Sequence, residues 1–200
     1  MGVDRDDPEV EKLVRADIPV MAVDLDVVHD HTSFVASDNI GGARLAVQHL
    51  HALGHTRIAT VAGPRNTKPG ADRSLGFRAE MRELGLKIPR GYEIEGDFYP
   101  ESGERAMQSL LRLSEPPTAV FAAADMMAVG AVRTMHAAGL SVPGDVAIVG
   151  FDDAPMAAHA SLTTIRQPVE ELGALSAELL LDPQPECPIL PVELIVRATS

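Results

Sequence analysis

The chain has 200 residues, a length that suits one large domain or two small lobes. Its 17 Lys and Arg stand against 29 Asp and Glu, a net charge of −12, which argues against a clustered basic surface for gripping nucleic acid. Hydrophobic residues make up 46%, a level that packs a core and excludes a disordered composition, and the single Cys187 excludes an internal disulfide or a multi-cysteine zinc site. The longest nearly apolar stretch, 119–132, is broken by Asp125 and too short to span a bilayer, and the acidic start MGVDRDDPEVEK is unlike a secretory signal. The expectation is a soluble, cytoplasmic α/β protein with no membrane partner.

A short helix is expected from Pro8 to Ala16, feeding a strand at 18–24 (IPVMAVD). The segment DHTSFVASDN (30–39) reads as a connection into a second sheet. From there strands at 57–63, 92–98, 119–125 and 146–153 alternate with helices at 39–53, 71–85, 102–113 and 126–139. The strands are apolar on both faces, as strands covered on both sides should be. Three of the helices run into a glycine stop, Gly54, Gly85 and Gly139, where the chain can take a left-handed cap. Asp38 or Asn39 is placed to cap the first helix and Asp125 the fourth. This alternation predicts right-handed crossovers and parallel sheets. The last third breaks the rhythm: a strand at 162–168 ends at Pro168, a helix runs from Val169 to Leu181, a proline-rich loop follows, and 190–198 reads as a terminal strand.

In open parallel sheets, ligands bind beyond the carboxyl ends of the strands. That rule selects Asp24, Asp97 with Phe98, Asp125, and Asp152 with Asp153, with Arg73 in the loop or first turn after 57–63. Asp24, Asp152, Arg73 and Phe98 would offer two acceptors, a forked donor and a flat apolar wall, a set that suits a small polyhydroxylated ligand. Blander roles stand beside these. Asp125 reads as a helix cap, Asp153 as a cap or ion-pair partner at the strand end, and Asp97 as a turn residue. Arg73 has Glu80 as an alternative partner, and Phe98 is equally a core residue. His49, His51 and His55 have no pair at i, i+4, and His29-x-His31 beside Asp30 is a weak pattern, so no metal is expected. Asn39-Ile-Gly-Gly opens a helix, with glycines that suit close packing or amide contacts to an anion. Cys187 reads as structural or incidental. No phosphate loop, nucleophile elbow or catalytic pair occurs, so neither an enzyme nor a cofactor is expected.

The runs SDNIGGARLAVQHLHALGHTRIATVAGP (37–64), ADRSLGF (71–77), GDFYPESGERAM (96–107), PPTAVFAAADMMAVGAV (116–132), GLSVPGDVAIVGFDD (139–153) and SLTTIRQPVEELG (161–173) resemble, in this order, the lactose/galactose repressor (LacI/GalR) family of transcriptional regulators. The similarity is to its periplasmic-binding-protein-like effector domain and covers the chain from about residue 8 to 200. The resemblance implies two Rossmann-like lobes joined by crossovers near 36–38, 165–167 and 183–188, with an effector bound between them. One lobe would comprise 1–36 with 167–184, truncated at its start, and the other 37–166 with 187–200. It implies effector contacts at Asp24, Arg73, Phe98 and Asp152, with Gln167 and Val169 near the second crossover. Two positions depart from the pattern: Ala124 stands where sugar-responsive relatives often carry Asn, and Val169 replaces an aromatic residue of some members. The implied effector is a sugar, with a purine or nucleoside as the alternative, and the implied assembly is a homodimer whose lobes close on the ligand. A solute-binding protein of a transport system is the rival reading.

The family's helix-turn-helix headpiece, hinge helix and first strand–helix–strand have no counterpart before Val10. DNA would be read only through a headpiece outside this chain. A fragment of a longer regulator, a misplaced start, or dependence on a partner to cover the first lobe is therefore expected.

Overall fold

The structure is a computed structural model and describes residues 12–13, 16, 20–24, 32–182 and 188–200. Most of the helix expected from Pro8 to Ala16, the His29/His31 pair and Cys187 lie outside the described residues, and the crossover expected near 183–188 falls instead at 191–192, because 189–190 still pair within the smaller sheet. The strands are β1 (Val20–Val23), β2 (Thr32–Ser37), β3 (Ile58–Ala62), β4 (Glu93–Glu95), β5 (Ala119–Ala122), β6 (Ala147–Asp152), β7 (Thr163–Arg166), β8 (Ile189–Leu190) and β9 (Glu193–Ile195). The helices are α1 (Asn39–Ala52), α2 (Lys68–Glu83), α3 (Pro100–Leu111), α4 (Asp125–Ala137), α5 (Pro155–His159) and α6 (Val169–Leu181).

They form two sheets, a three-stranded one in the order β1-β2-β8 and a six-stranded one in the order β4-β3-β5-β6-β7-β9. Every pairing is parallel except β7 with β9. The α/β alternation seen in the sequence is thus the architecture. Along β5, Ala119 and Phe121 enter one core while Val120 and Ala122 enter the other, and β6 alternates in the same way. One core lies against α3 and α4 and holds Met107, Leu110, Met127 and Ile148. The other lies against α1 and α2 and holds Val47, Leu50, Phe77, Met81 and Phe151. Two buried faces explain why these strands are apolar throughout. The smaller sheet packs Met21, Val35 and Leu190 against Leu172, Leu175 and Leu179 of α6.

The glycine stops hold: α1, α2 and α4 end two residues before Gly54, Gly85 and Gly139, whose φ values are 94°, 68° and 76°. Asp38 caps α1 by accepting from the Gly41 amide at 2.7 Å. Three expectations are corrected. The segment 30–39 carries β2, the middle strand of the smaller sheet, because partners distant in sequence, β1 and β8, pair with it. The terminal strand 190–198 divides around Pro191, with β8 joining β2 and β9 joining β7. The strand expected at 92–98 shortens to β4: the Gly96 amide still bonds the Ala62 carbonyl at 2.7 Å, and the chain turns away by Phe98, at φ 68°.

Candidate functional site

Backbone strain marks the carboxyl ends of the strands. Asp24 after β1, Phe98 beyond β4, Asp152 at the end of β6 and Asp153 beside it have φ of 54°, 68°, 119° and 54°. Side-chain-bearing residues pay about 1–3 kcal/mol for such conformations and hold them only where neighbours fix them. Of these, Asp24, Phe98 and Asp152 are residues that the strand-end rule selects as ligand groups.

Here the neighbours form a closed ring of hydrogen bonds between the sheets. Oδ1 of Asp24 accepts from the Ser37 amide at 3.0 Å and from Nδ2 of Asn39 at 3.0 Å. Oδ1 of Asn39 accepts from Nε of Arg73 at 2.8 Å. Nη1 of Arg73 donates to Oδ1 of Asp152 at 3.3 Å and to the Ala123 carbonyl at 2.7 Å. Gln167 donates from Nε2 to the same Asp152 oxygen at 2.8 Å and accepts from the Ser37 hydroxyl at 2.8 Å, which closes the circuit. Two of the three chain crossovers in the described residues, 37–39 and 167, contribute to it; the third lies between β8 and β9.

Arg73 projects from within α2, not from the preceding loop, and is 3% exposed. Its guanidinium lies 3.7 Å above the centroid of the Phe151 ring. Glu80, the alternative partner expected for it, is taken by Arg44 at 2.7 Å and Gln48 at 2.9 Å. Burial pushes the Arg73 pKa down, opposed by the charges of Asp152 and Asp24. Burial likewise raises Asp24, against the Ser37 amide and Arg73, and raises Asp152, against Arg73 and Gln167. The Asp152 side chain keeps 33% exposure, so the ring is open to solvent on that side.

Two further carboxylates fix the loop after β6. Asp125 is not the cap of α4. It occupies the first helical turn, fully buried, and accepts from the Thr164 hydroxyl at 2.6 Å and the Ala154 amide at 2.9 Å. Burial pushes its carboxyl up to about 7, against the Thr164 hydrogen bond and with the help of the Asp152 charge. Asp153 is an ion-pair partner at the strand end, accepting from Arg166 at 2.8 Å and Arg197 at 2.6 Å. Partial burial works against its ionisation, but these arginines hold it below the ordinary carboxylate value.

The remaining predicted residues stand apart from the ring. Phe98 lies at the same sheet edge with its ring against Gly63, where a Cβ would fall 2.5 Å from Phe98 Cε1. Ala124 is buried and caps α4 with no side-chain hydrogen bond, and Val169 opens α6 at 64% exposure. Asp97 is the turn residue expected, accepting from the Tyr99 amide at 2.9 Å. His49 and His55 contact Ser200 and Thr118, and among the described residues no cluster of His, Cys, Asp and Glu is placed to hold a metal. The sequence pattern does not mark Ser37 and Asn39 as ring members. A polar pair at a helix start reads as capping, and only burial of Asn39 to 1% exposure identifies its role.

Residues 47–200 match the family model of the periplasmic binding protein-like domain. The chain is 39% identical over 210 residues to the HTH-type transcriptional regulator CelR of Thermobifida fusca, covering 100% of this chain and 62% of that protein. It therefore spans less than two thirds of that relative's length. Among solved structures it resembles a transcriptional regulator CelR–cellobiose complex, with a TM-score of 0.92 and 38% identity over 99% of this chain and 64% of that one. It also resembles a LacI family transcriptional regulator from Enterococcus faecium with bound ribose, with a TM-score of 0.84 and 32% identity over 98% of this chain and 75% of that one. The chain belongs to the periplasmic-binding-protein-like domain family, as a member of the LacI family of transcriptional regulators, which are not enzymes.

Proposed function

We propose that this chain is the sensing module of a LacI-type transcriptional regulator and that it binds a small sugar at the ring of Asp24, Asn39, Arg73, Asp152 and Gln167. The observation that carries the reading is the ring itself: it joins the ends of both sheets through groups that hydroxyls can replace or extend. Similarity to regulators solved with cellobiose and with ribose supports a sugar as the effector. Phe98 supplies an apolar wall beside it, and Ala124 and Val169 shape the pocket sterically without polar contact. The described residues within 1–36 and 167–182, together with β8, form one lobe, and 37–166 with 191–200 the other.

In this mechanism the sugar shifts the equilibrium between two inter-lobe angles and so changes DNA affinity through a headpiece outside these residues, in a cytoplasmic homodimer. Its leverage is limited to its differential affinity for the two states, about 1–3 kcal/mol in such couplings. No described helix is long and apolar enough to cross a membrane. Thermal shift against cellobiose, ribose, glucose and galactose tests the reading. A selective rise in Tm with the wild-type chain, reduced in Asp152→Asn, is the expected result. A rise that Asp152→Asn leaves unchanged places the sugar elsewhere and refutes the site.

A further inference from the structure

We propose that the site selects uncharged, hydroxyl-bearing ligands and rejects acidic ones such as sugar phosphates and uronates, an inference that rests on the reading of the ring as the effector site. An arginine at a binding site ordinarily invites an anion, yet most of the Arg73 guanidinium is already committed. Nε serves Asn39, Nη1 serves Ala123 and Asp152, and the flat face lies on Phe151. Only Nη2 lies outside the ring. On the acceptor side, each donor of the ring reaches Oδ1 of Asp24 or Oδ1 of Asp152, and the Asp152 carboxylate also accepts from the Asp125 backbone amide.

The neighbouring charges do not reverse this balance. Lys68 faces Asp24 but is paired with Asp72 at 2.8 Å, and Asp153 is matched by Arg166 and Arg197. Asp125 lies behind Asp152 and adds no cation. The ring itself therefore presents two carboxylates against one largely committed guanidinium. A hydroxyl suits both sides, because its oxygen accepts from Nη2 while its proton goes to a carboxylate. A uronate carboxylate or a phosphate dianion has no proton to give and brings like charge against Asp24 and Asp152.

The test is calorimetric titration of the 200-residue chain with cellobiose and with matched pairs: glucose with glucuronate and with glucose 6-phosphate, galactose with galacturonate, and ribose with ribose 5-phosphate. Glucuronate and galacturonate nearly keep the shape of the parent sugar, so they separate charge from bulk. The expected result is a neutral member binding at least tenfold tighter than its acidic counterpart, with the ratio narrowing at high salt. It narrows also in Asp152→Asn, or in Asp24→Asn if the first variant does not fold or bind. An acidic member binding as tightly as its parent, or a ratio insensitive to salt and to both variants, overturns the selectivity and leaves the sensing role standing. Binding of none of these sugars or acids overturns the sensing role itself.

Discussion

Replacing Asp125 by Asn should stabilise the chain at neutral and alkaline pH and remove a defined part of its pH dependence. The folded carboxyl titrates near 7, raised by burial from an ordinary value of 3.8. Between those values the folded state holds a proton that the unfolded state has released, so stability falls as pH rises from about 4 to about 7 and is level above. At roughly 1.4 kcal/mol per pH unit, the full cost of ionising Asp125 reaches about 4 kcal/mol above pH 7. Asn reproduces the protonated form: its amide donates to Thr164 Oγ1, and its oxygen accepts from the Ala154 amide, the two partners the carboxyl already has. Chemical denaturation of both proteins from pH 4 to 9 should give curves that coincide near pH 4. They should diverge by about 1.4 kcal/mol per unit and run parallel above pH 7. Taking the difference cancels the contributions of His49, His55 and Asp24, which titrate in both. A variant that is less stable at every pH, or a difference that does not change with pH, would refute the reasoning.

Arg73→Met keeps much of the side-chain volume but strips the ring of its cation, leaving Ala123 and Asn39 without their donor and Asp152 without its charge partner. A loss of about 3–5 kcal/mol is expected by denaturant unfolding, and a loss under about 1 kcal/mol would mean the ring contributes little. Gly63→Ala forces a Cβ to within 2.5 Å of the Phe98 ring and 2.9 Å of the Gly70 backbone, so a cost of about 1–3 kcal/mol and weakened sugar binding should appear together in melting and titration. Asp38→Ala removes the α1 cap and should cost about 0.5–2 kcal/mol by the same unfolding assay, without altering the ligand's stoichiometry. Asp153→Asn should weaken the chain above pH 5 and converge with wild type in acid. The arginines depress the folded carboxyl, so its contribution is lost as pH falls through that value.

Much of this molecule is legible in the sequence because its larger sheet is covered on both faces. Short continuous apolar runs such as AVFAA and VAIVGF, bounded by turn residues, read as buried strands, and the glycine stops bound the helices between them. The strand-end rule then brings Asp24 and Asp152 forward, and Arg73 with them. What local pattern could not supply is what distant segments impose. TSFVAS is bracketed by polar DH and DN and so reads as a connection, and its place as a strand is set by β1 and β8, which flank it. Asp125 has the spacing of a cap, yet Thr164 and Ala154, brought up from β7 and the loop after β6, turn it into a buried clamp. Asn39 and Ser37 read as a helix start, and their place between Asp24, Arg73 and Gln167 exists only once both sheets are assembled.

The most direct test of the account is amide hydrogen exchange of the chain with and without a saturating concentration of whichever sugar gives the largest thermal shift. The account predicts protection at segments far apart in sequence but joined by the ring: around Asp24, at Ser37 to Asn39, at Asp152 to Ala154 and at Gln167. A cavity of about 490 Å³ lies at the opposite end of the larger sheet, lined by Arg57, Leu111, Pro116, Leu140 and Asp145. Protection confined to that cavity, with the ring segments unchanged, would contradict the account.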